Sequence, residues 1–338
     1  MSAAHAGKTR RNKGSGIARL LFALLGVIAL AVSAVVYLLY APAPREPDLG
    51  ARPEAGTIRV GGLDRSYLAY APRRVKSNPP LVVVFHSSMQ GPEGIRRATG
   101  YEFDRLADRH GFVVAYPRGY EGNWNDCRKA ADYPARRLGV DDAGFFRALV
   151  ARLRRERDVD PSRVFVAGLS GGGAFVYRLA LEHPEEIAGA AVFAASLPTD
   201  ANSDCRPSGR PVPMLIVNGT ADPINPYAGG AVSMFGLASR GEAQSAEATA
   251  SRFAALAGAA GPRATRLRPT RTFDPTWAER RVWGTPATAE VVLLSVRGGG
   301  HVVPQPVYRA PRLLGRTTSA INGPAEAWAF FSRQKPRG

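Results

Sequence analysis

The sequence predicts an α/β fold: a mostly parallel, doubly wound sheet with helices on both faces, preceded by an N-terminal transmembrane helix. Three observations carry this. Apolar, β-branched runs recur at 81–85, 112–116, 164–166, 190–195, 213–217 and 290–296. Such continuous runs mark strands buried on both faces, as parallel sheets require. Between them lie segments of helical period, such as Phe145, Phe146, Leu149, Val150 and Leu153 behind Asp141-Asp142. Finally, residues 20–40 hold 21 positions without a charge, roughly 30 Å of helix and enough to cross a bilayer.

The chain opens on a basic segment, 1–19, with Lys8, Arg10, Arg11, Lys13 and Arg19 and no acid. Positive charge before an apolar span places that end in the cytoplasm. The span is too long for the core of a cleaved signal. Ala41-Pro42-Ala43 has the small-x-small form of a cleavage site, but Pro44 follows directly and hinders the cut. Residues 20–40 are therefore expected to be a signal anchor, with the globular part outside the cytoplasm; cleavage would instead secrete it. A Pro-rich linker, 41–56, leads to one globular domain, 57–338.

Composition is that of a globular protein, 45% hydrophobic and 22% charged over 338 residues. Two cysteines exclude a disulfide scaffold, and five scattered histidines lack zinc spacing, so neither metal nor cofactor is expected. The net charge is +17, of which +12 lies beyond residue 19, nearly all of it on arginine. It reads as an Arg-biased solvated surface. Attraction to an anionic polymer is the functional alternative. No basic stretch is interleaved with aromatics, so nucleic acid is not an expected partner.

The domain opens with a hairpin at 57–71 turning at Gly61-Gly62-Leu63-Asp64. The run at 81–85 leads straight into His86-Ser87-Ser88-Met89-Gln90. A helix around 103–109 precedes the strand at 112–116, and another is expected at 245–256. Pro324 starts a closing helix with Trp328, Phe330 and Phe331. Residues 265–289, rich in Arg, Pro, Thr and Trp, are expected to form a surface loop or small cap.

Residues 162–176 are the centre of the chain. A strand ends in Gly168-Leu169-Ser170-Gly171-Gly172 and a helix begins at once. The glycines keep the turn free of Cβ atoms where strand and helix crowd together. The helix N-terminus offers unpaired N–H groups to an alkoxide or a developing oxyanion. This G-x-S-x-G elbow is a nucleophile site when strand and helix flank it.

A serine hydroxyl needs a base and an orienter for that base. His183 sits at a helix terminus before Pro184. His301 follows the last strand behind Gly298-Gly299-Gly300, and is the expected base. Asp222 ends the preceding strand's loop at Asn218-Gly219-Thr220-Ala221-Asp222-Pro223 and is the expected acid; Asp200 and Asp204 are the rivals. The oxyanion donors are expected to be the backbone N–H groups of Gly171 and Ser88, with Ser87 close by and His86 bracing that loop. Cys127 and Cys205 follow two different strands. Outside the cytoplasm they are expected to pair, the alternative being two buried thiols.

With these residues in place, the chain resembles the polyhydroxybutyrate depolymerase-like esterases. These are α/β-hydrolases grouped with bacterial feruloyl esterases. The likeness runs from about residue 57 to 333. It rests on V-V-V-F-H at 82–86, Y-P-R-G at 116–119, W-N-D at 124–126 and L-G-V-D-D-A-G-F-F at 138–146. It continues through V-D-P-S-R-V-F-V-A-G-L-S-G-G-G at 159–173 and N-G-T-A-D-P-I-N-P-Y at 218–227. G-G-G-H at 298–301 and L-G-R-T-T-S-A-I at 314–321 close it. The resemblance implies the α/β-hydrolase fold and places nucleophile, acid and base on Ser170, Asp222 and His301. It also implies that Trp124 lines the cleft. The family has His-Gly where this chain has His86-Ser87, and x-Trp-Pro where it has Val302-Val303-Pro304. Ser87 and Val303 are therefore expected to reshape the substrate site, beside His86.

The expected activity is a membrane-anchored serine esterase acting on hydroxyacid polyesters or on feruloyl or acetyl esters of plant carbohydrate. The alternative is a non-catalytic envelope protein of the same fold, holding a polymer on its arginines.

Overall fold

The computed structural model describes residues 13–75 and 77–337, with side chains from residue 19. The basic segment expected at 1–19 thus lies outside the described residues as far as residue 12. Helix α1, Lys13–Leu39, contains an apolar stretch, Arg19–Leu39, with no side chain buried. Its 21 residues extend about 32 Å. The chain divides into two units, one containing α1 and the other residues 42–310 and 314–338.

The larger unit begins with β1 (Glu54–Val60) and β2 (Leu63–Tyr70), an antiparallel hairpin. Gly61 and Gly62 both take positive φ at its turn, as a tight right-twisted hairpin demands. Then come β3 (Leu81–Phe85), α2 (Pro92–Ala98), α3 (Glu102–His110), β4 (Val113–Pro117), α4 (Pro134–Arg137) and α5 (Asp142–Arg157). The central unit is β5 (Val164–Leu169), α6 (Gly171–Glu182), β6 (Gly189–Phe193) and β7 (Met214–Gly219). A two-residue pair, β8 (Gly230–Ala231) and β9 (Glu242–Ala243), precedes α7 (Ala246–Leu256). The chain ends with β10 (Arg263–Leu267), β11 (Trp277–Trp283), β12 (Val291–Arg297) and α8 (Gly323–Phe331).

Ten strands form one sheet in the order β1-β2-β4-β3-β5-β6-β7-β12-β11-β10. The six from β4 to β12 are parallel, and antiparallel hairpins flank them on each side. Period-two alternation divides each central strand between two cores. Val83, Phe85, Val164 and Val166 meet α5, α6 and α7 through Phe145, Phe175 and Phe253. Val82, Val84, Phe165 and Ala167 meet α2, α3 and α8 through Ile95, Phe103 and Phe331. The α/β architecture expected from the buried runs is the one observed.

Two expectations are corrected. Residues 265–289 are not simply a loop or cap: β10 and β11 extend the sheet on either side of a loop at 268–276, β11 pairing with β12 from Trp277↔Arg297 to Trp283↔Val291. The stretch after α1 is not a free tether. Gly50 N donates to Asp108 Oδ2 at 2.9 Å, Ala51 N to the Tyr70 hydroxyl at 3.3 Å, and Glu46 pairs with buried Arg96 at 2.8 Å. The folded unit therefore starts earlier than residue 57.

Candidate active site

In an open parallel sheet, chemistry gathers where the strands end at their carboxyl edge. Here β3, β5, β7 and β12 each deliver one part of the site to that edge.

Ser170 stands between β5 and α6 with φ 52° and ψ −114°, a backbone strained for a residue with a Cβ. Its N–H donates to Phe193 O at 2.9 Å and its carbonyl accepts from Ala174 N at 2.8 Å, which locks the elbow. The flanking glycines are there because nothing larger fits. A Cβ on Gly168 would lie 2.4 Å from Gly172 O.

The loop after β3 meets this elbow. A Cβ on Gly171 would lie 2.6 Å from Ser88 Oγ and 3.2 Å from Ser88 N. The two backbone donors expected for an oxyanion hole are thus neighbours. The loop is held from below by His86, which is fully buried. Gly119 N donates to His86 Nε2 at 2.8 Å, so the ring proton sits on Nδ1 and is donated to Ser87 O at 2.8 Å. Burial lowers the His86 pKa to about 4, keeping the ring neutral. Ser87 does not take the positive φ that a glycine would favour; Met89 takes it instead, at 59°.

Trp124 donates its indole N–H to His86 O at 2.9 Å and stacks on Phe175 at 5.4 Å. It is 1% exposed, and Val303 is 3% exposed within the core under α8. Of the residues expected to line the substrate site, Trp124, Val303 and His86 are buried in the protein interior, and Ser87 alone is half-open. Trp124 supports the 86–90 loop from beneath because its apolar face finds Phe85 and Phe175 there.

Asp222 and His301 are brought together, His301 Nδ1 lying 2.8 Å from Asp222 Oδ2. Both are nearly buried. The other carboxylate oxygen accepts from Ile224 N and Asn225 N, each at 2.8 Å, so the acid's loop is also an Asx turn. Asp200 pairs with Arg252, and Asp204 with Arg136 and Arg178, so the two rival acids are engaged elsewhere. Among the described residues, the Ser170 hydroxyl closes no hydrogen bond. His183 instead caps α6 and lies beside Glu185 and Glu186, a surface group whose Glu186 is taken by Arg147.

The residues that seat His301 were missed in the sequence. His301 N donates to Leu314 O at 2.7 Å and Gly300 N to Arg316 O at 2.9 Å. Ala221 N donates to Gly299 O at 2.8 Å and Gly298 N to Thr220 Oγ1 at 2.9 Å. The L-G-R block at 314–316 thus acts as a backbone clamp on the histidine loop. Its placement shortly after that loop was the available signal. Gly219 is required because a Cβ there would lie 2.3 Å from Gly299 O.

Cys127 and Cys205 form a disulfide joining the loops after β4 and β6. The same loops are laced by Lys129 N to Asn202 O at 2.7 Å and Asp204 N to Cys127 O at 3.0 Å.

Comparison with known proteins agrees with this architecture. The family model described as esterase PHB depolymerase matches residues 65–267. The chain belongs to this family. NocK of Nocardia uniformis subsp. tsuyamanensis, which carries the name esterase, is 31% identical over 303 residues, 86% of each chain. Poly(3-hydroxyalkanoate) depolymerase C of Paucimonas lemoignei is 32% identical over 129 residues, 37% of this chain and 30% of that protein. In fold, the chain is similar to the acetyl xylan esterase from Aspergillus awamori, with a TM-score of 0.57 at 19% identity. That match covers 83% of this chain and 99% of the other. This member of the esterase PHB depolymerase family is a carboxylic ester hydrolase.

Proposed function

We propose that the protein is a membrane-anchored, extracytoplasmic serine esterase in which Ser170, His301 and Asp222 act as nucleophile, base and orienter. The observation that carries this reading is the 2.8 Å contact from His301 Nδ1 to Asp222 Oδ2 at the sheet edge that also bears the Ser170 elbow. Asp222 holds the Nδ1–H tautomer and leaves Nε2 free as a base. Ser170 Oγ attacks the ester carbonyl carbon while Nε2 takes its proton. The Gly171 and Ser88 N–H groups receive the oxyanion. The tetrahedral intermediate collapses, and the alcohol leaves with the proton from Nε2. Water, deprotonated by Nε2, then attacks the acyl-enzyme and frees the carboxylic acid and Ser170.

The candidate substrates are hydroxyacid polyesters and their oligomers, and acetyl or feruloyl esters of carbohydrate. The names of relatives, a poly(3-hydroxyalkanoate) depolymerase and an acetylxylan esterase/xylanase, support the polyester and acetyl-ester candidates. Anchoring is supported by the length and unburied apolar surface of α1. An extracytoplasmic site is supported by the Cys127–Cys205 disulfide, since such bonds persist in oxidising compartments.

A fluorophosphonate probe on the detergent-solubilised chain tests the catalytic reading. Labelling should map to Ser170, vanish in Ser170→Ala and fall strongly in His301→Ala. Folded protein that takes no label would refute it. A panel of p-nitrophenyl esters, hydroxybutyrate oligomers and methyl ferulate then separates the substrate groups.

A further inference from the structure

The loop between β10 and β11 returns to the same sheet edge as the catalytic loops, because β11 runs antiparallel to β12 and Trp277 pairs with Arg297. His301 lies four residues beyond Arg297. Two adjoining cavities open there, of about 560 and 370 Å³, and both are lined by Thr270 and Arg271. The first adds Arg266, Arg268 and Trp277, the second Tyr308 and Arg309. They share the wall formed by Thr270 and Arg271, and four exposed arginines line the pair.

None of Arg266, Arg268, Arg271 and Arg309 has a carboxylate partner among the described residues. The acids nearby are occupied. Asp274 accepts from the N–H and hydroxyl of both Thr276 and Ser319 at 2.5–2.9 Å. Glu326 is taken by Arg280 at 2.6 Å. The Arg266 guanidinium carbon sits over Trp277, 4.1 Å from the ring centre, a cation–π contact that restrains the head group. A fixed, unpaired guanidinium fork is matched to carboxylate oxygens.

We propose that this groove binds an acidic polysaccharide, whose carboxylates pair with the four arginines while an ester on the same chain reaches Ser170. The substrate part, and the choice of a glycan over nucleic acid, rest on the esterase reading above; the binding of a polyanion does not. Four separated cations suit a polyanion better than a single terminal carboxylate. A concave groove suits a chain better than a flat bilayer. Nucleic acid carries no carboxylic ester for the enzyme to cut. The strand of Ser170 and β11 are four ladder steps apart, about 19 Å, which a polymer spans and a small ester does not.

The test uses the full chain in detergent micelles with polygalacturonate as probe and neutral dextran as control. Polygalacturonate should bind, weakening steeply with salt, and dextran should not. Arg266→Gln/Arg271→Gln/Arg309→Gln should bind at least tenfold more weakly. The corresponding triple lysine variant, which keeps the charge but loses the planar fork, should bind more weakly than the native chain and more tightly than the glutamine triple. Equal binding of dextran, an unchanged affinity in the glutamine triple, or polyphosphate bound as tightly as polygalacturonate would overturn the proposal. Turnover of p-nitrophenyl acetate by the same preparation reports the Ser170 centre separately. Binding without turnover overturns the esterase reading and the substrate role together, leaving a polyanion-binding groove. Turnover without binding overturns the groove alone.

Discussion

Gly172 sits directly against Phe85: a Cβ added to it would lie 2.4 Å from the Phe85 carbonyl oxygen, and 2.5 Å from that of His86. The first turn of α6 and the end of β3 therefore touch backbone to backbone, and this contact sets the 86–90 loop beside Ser170. In Gly172→Ala, one methyl group forces the two elements apart. The expected loss is about 1–3 kcal/mol of stability, together with a fall in kcat as Ser88 moves from Gly171. Denaturant unfolding and short-ester kinetics measure both. An unaltered midpoint would mean that the contact gives way freely.

His86 makes stability depend on pH. Its folded pKa, about 4, is below its ordinary value of 6.5 because burial disfavours the charged ring. Between these values the unfolded chain binds a proton that the folded chain does not. Stability from this group is thus full above pH 6.5 and declines as pH falls toward 4, by up to about 3 kcal/mol. Unfolding midpoints across pH 4–7 should fall on the acid side. His86→Gln should flatten that slope while lowering overall stability.

Asp222→Asn separates orientation from architecture. The amide oxygen can still accept from Ile224 N and Asn225 N, so the loop persists. The amide nitrogen cannot accept the Nδ1 proton, and His301 loses its productive tautomer. A drop in kcat of about 10³–10⁴ with little change in KM is expected. A drop under tenfold would remove Asp222 from the proposed mechanism.

The disulfide closes a separation of 78 residues. Its loss in Cys127→Ser/Cys205→Ser should cost about 4–5 kcal/mol through the entropy of the unfolded chain. The backbone bonds between the same loops remain, so short-ester kcat should change by less than threefold. A larger kinetic effect would show that the covalent link itself holds the site in shape.

Anchoring is checked by fractionation. The full chain should stay with membranes through high salt and alkaline carbonate and keep its N-terminal peptide. A released form starting near Pro44 would show cleavage instead.

The central sheet was legible because strands covered on both faces are apolar throughout, as at 81–85 and 213–217. The Ser170 elbow and the positions of Asp222 and His301 could be read because each closes a strand in a fixed chain order. The edge hairpin could not. β10 is mostly exposed, so Arg263 to Arg266 carry no apolar alternation, and Pro269 and Pro275 resemble loop residues. The docking of residues 46–51 was hidden for another reason. It depends on a glycine N–H finding Asp108 and a glutamate finding Arg96, contacts 50 or more positions apart that leave no local pattern. Trp124 and Val303 were assigned by family position to the cleft, whereas aromatic stacking and burial under α8 place them inside.

The sheet's two outer strands have a bearing on self-association. β1 ends the sheet on one side with Glu54 and Arg59 exposed, and β10 ends it on the other with Arg263 and Arg266 exposed. An open strand edge invites another copy to add to it, and charge there opposes the addition. The arginines of β10 thus make the ten-stranded sheet a poor template for its own growth. Replacing Arg263 and Arg266 by valine would be expected to turn a soluble edge into an adhesive one.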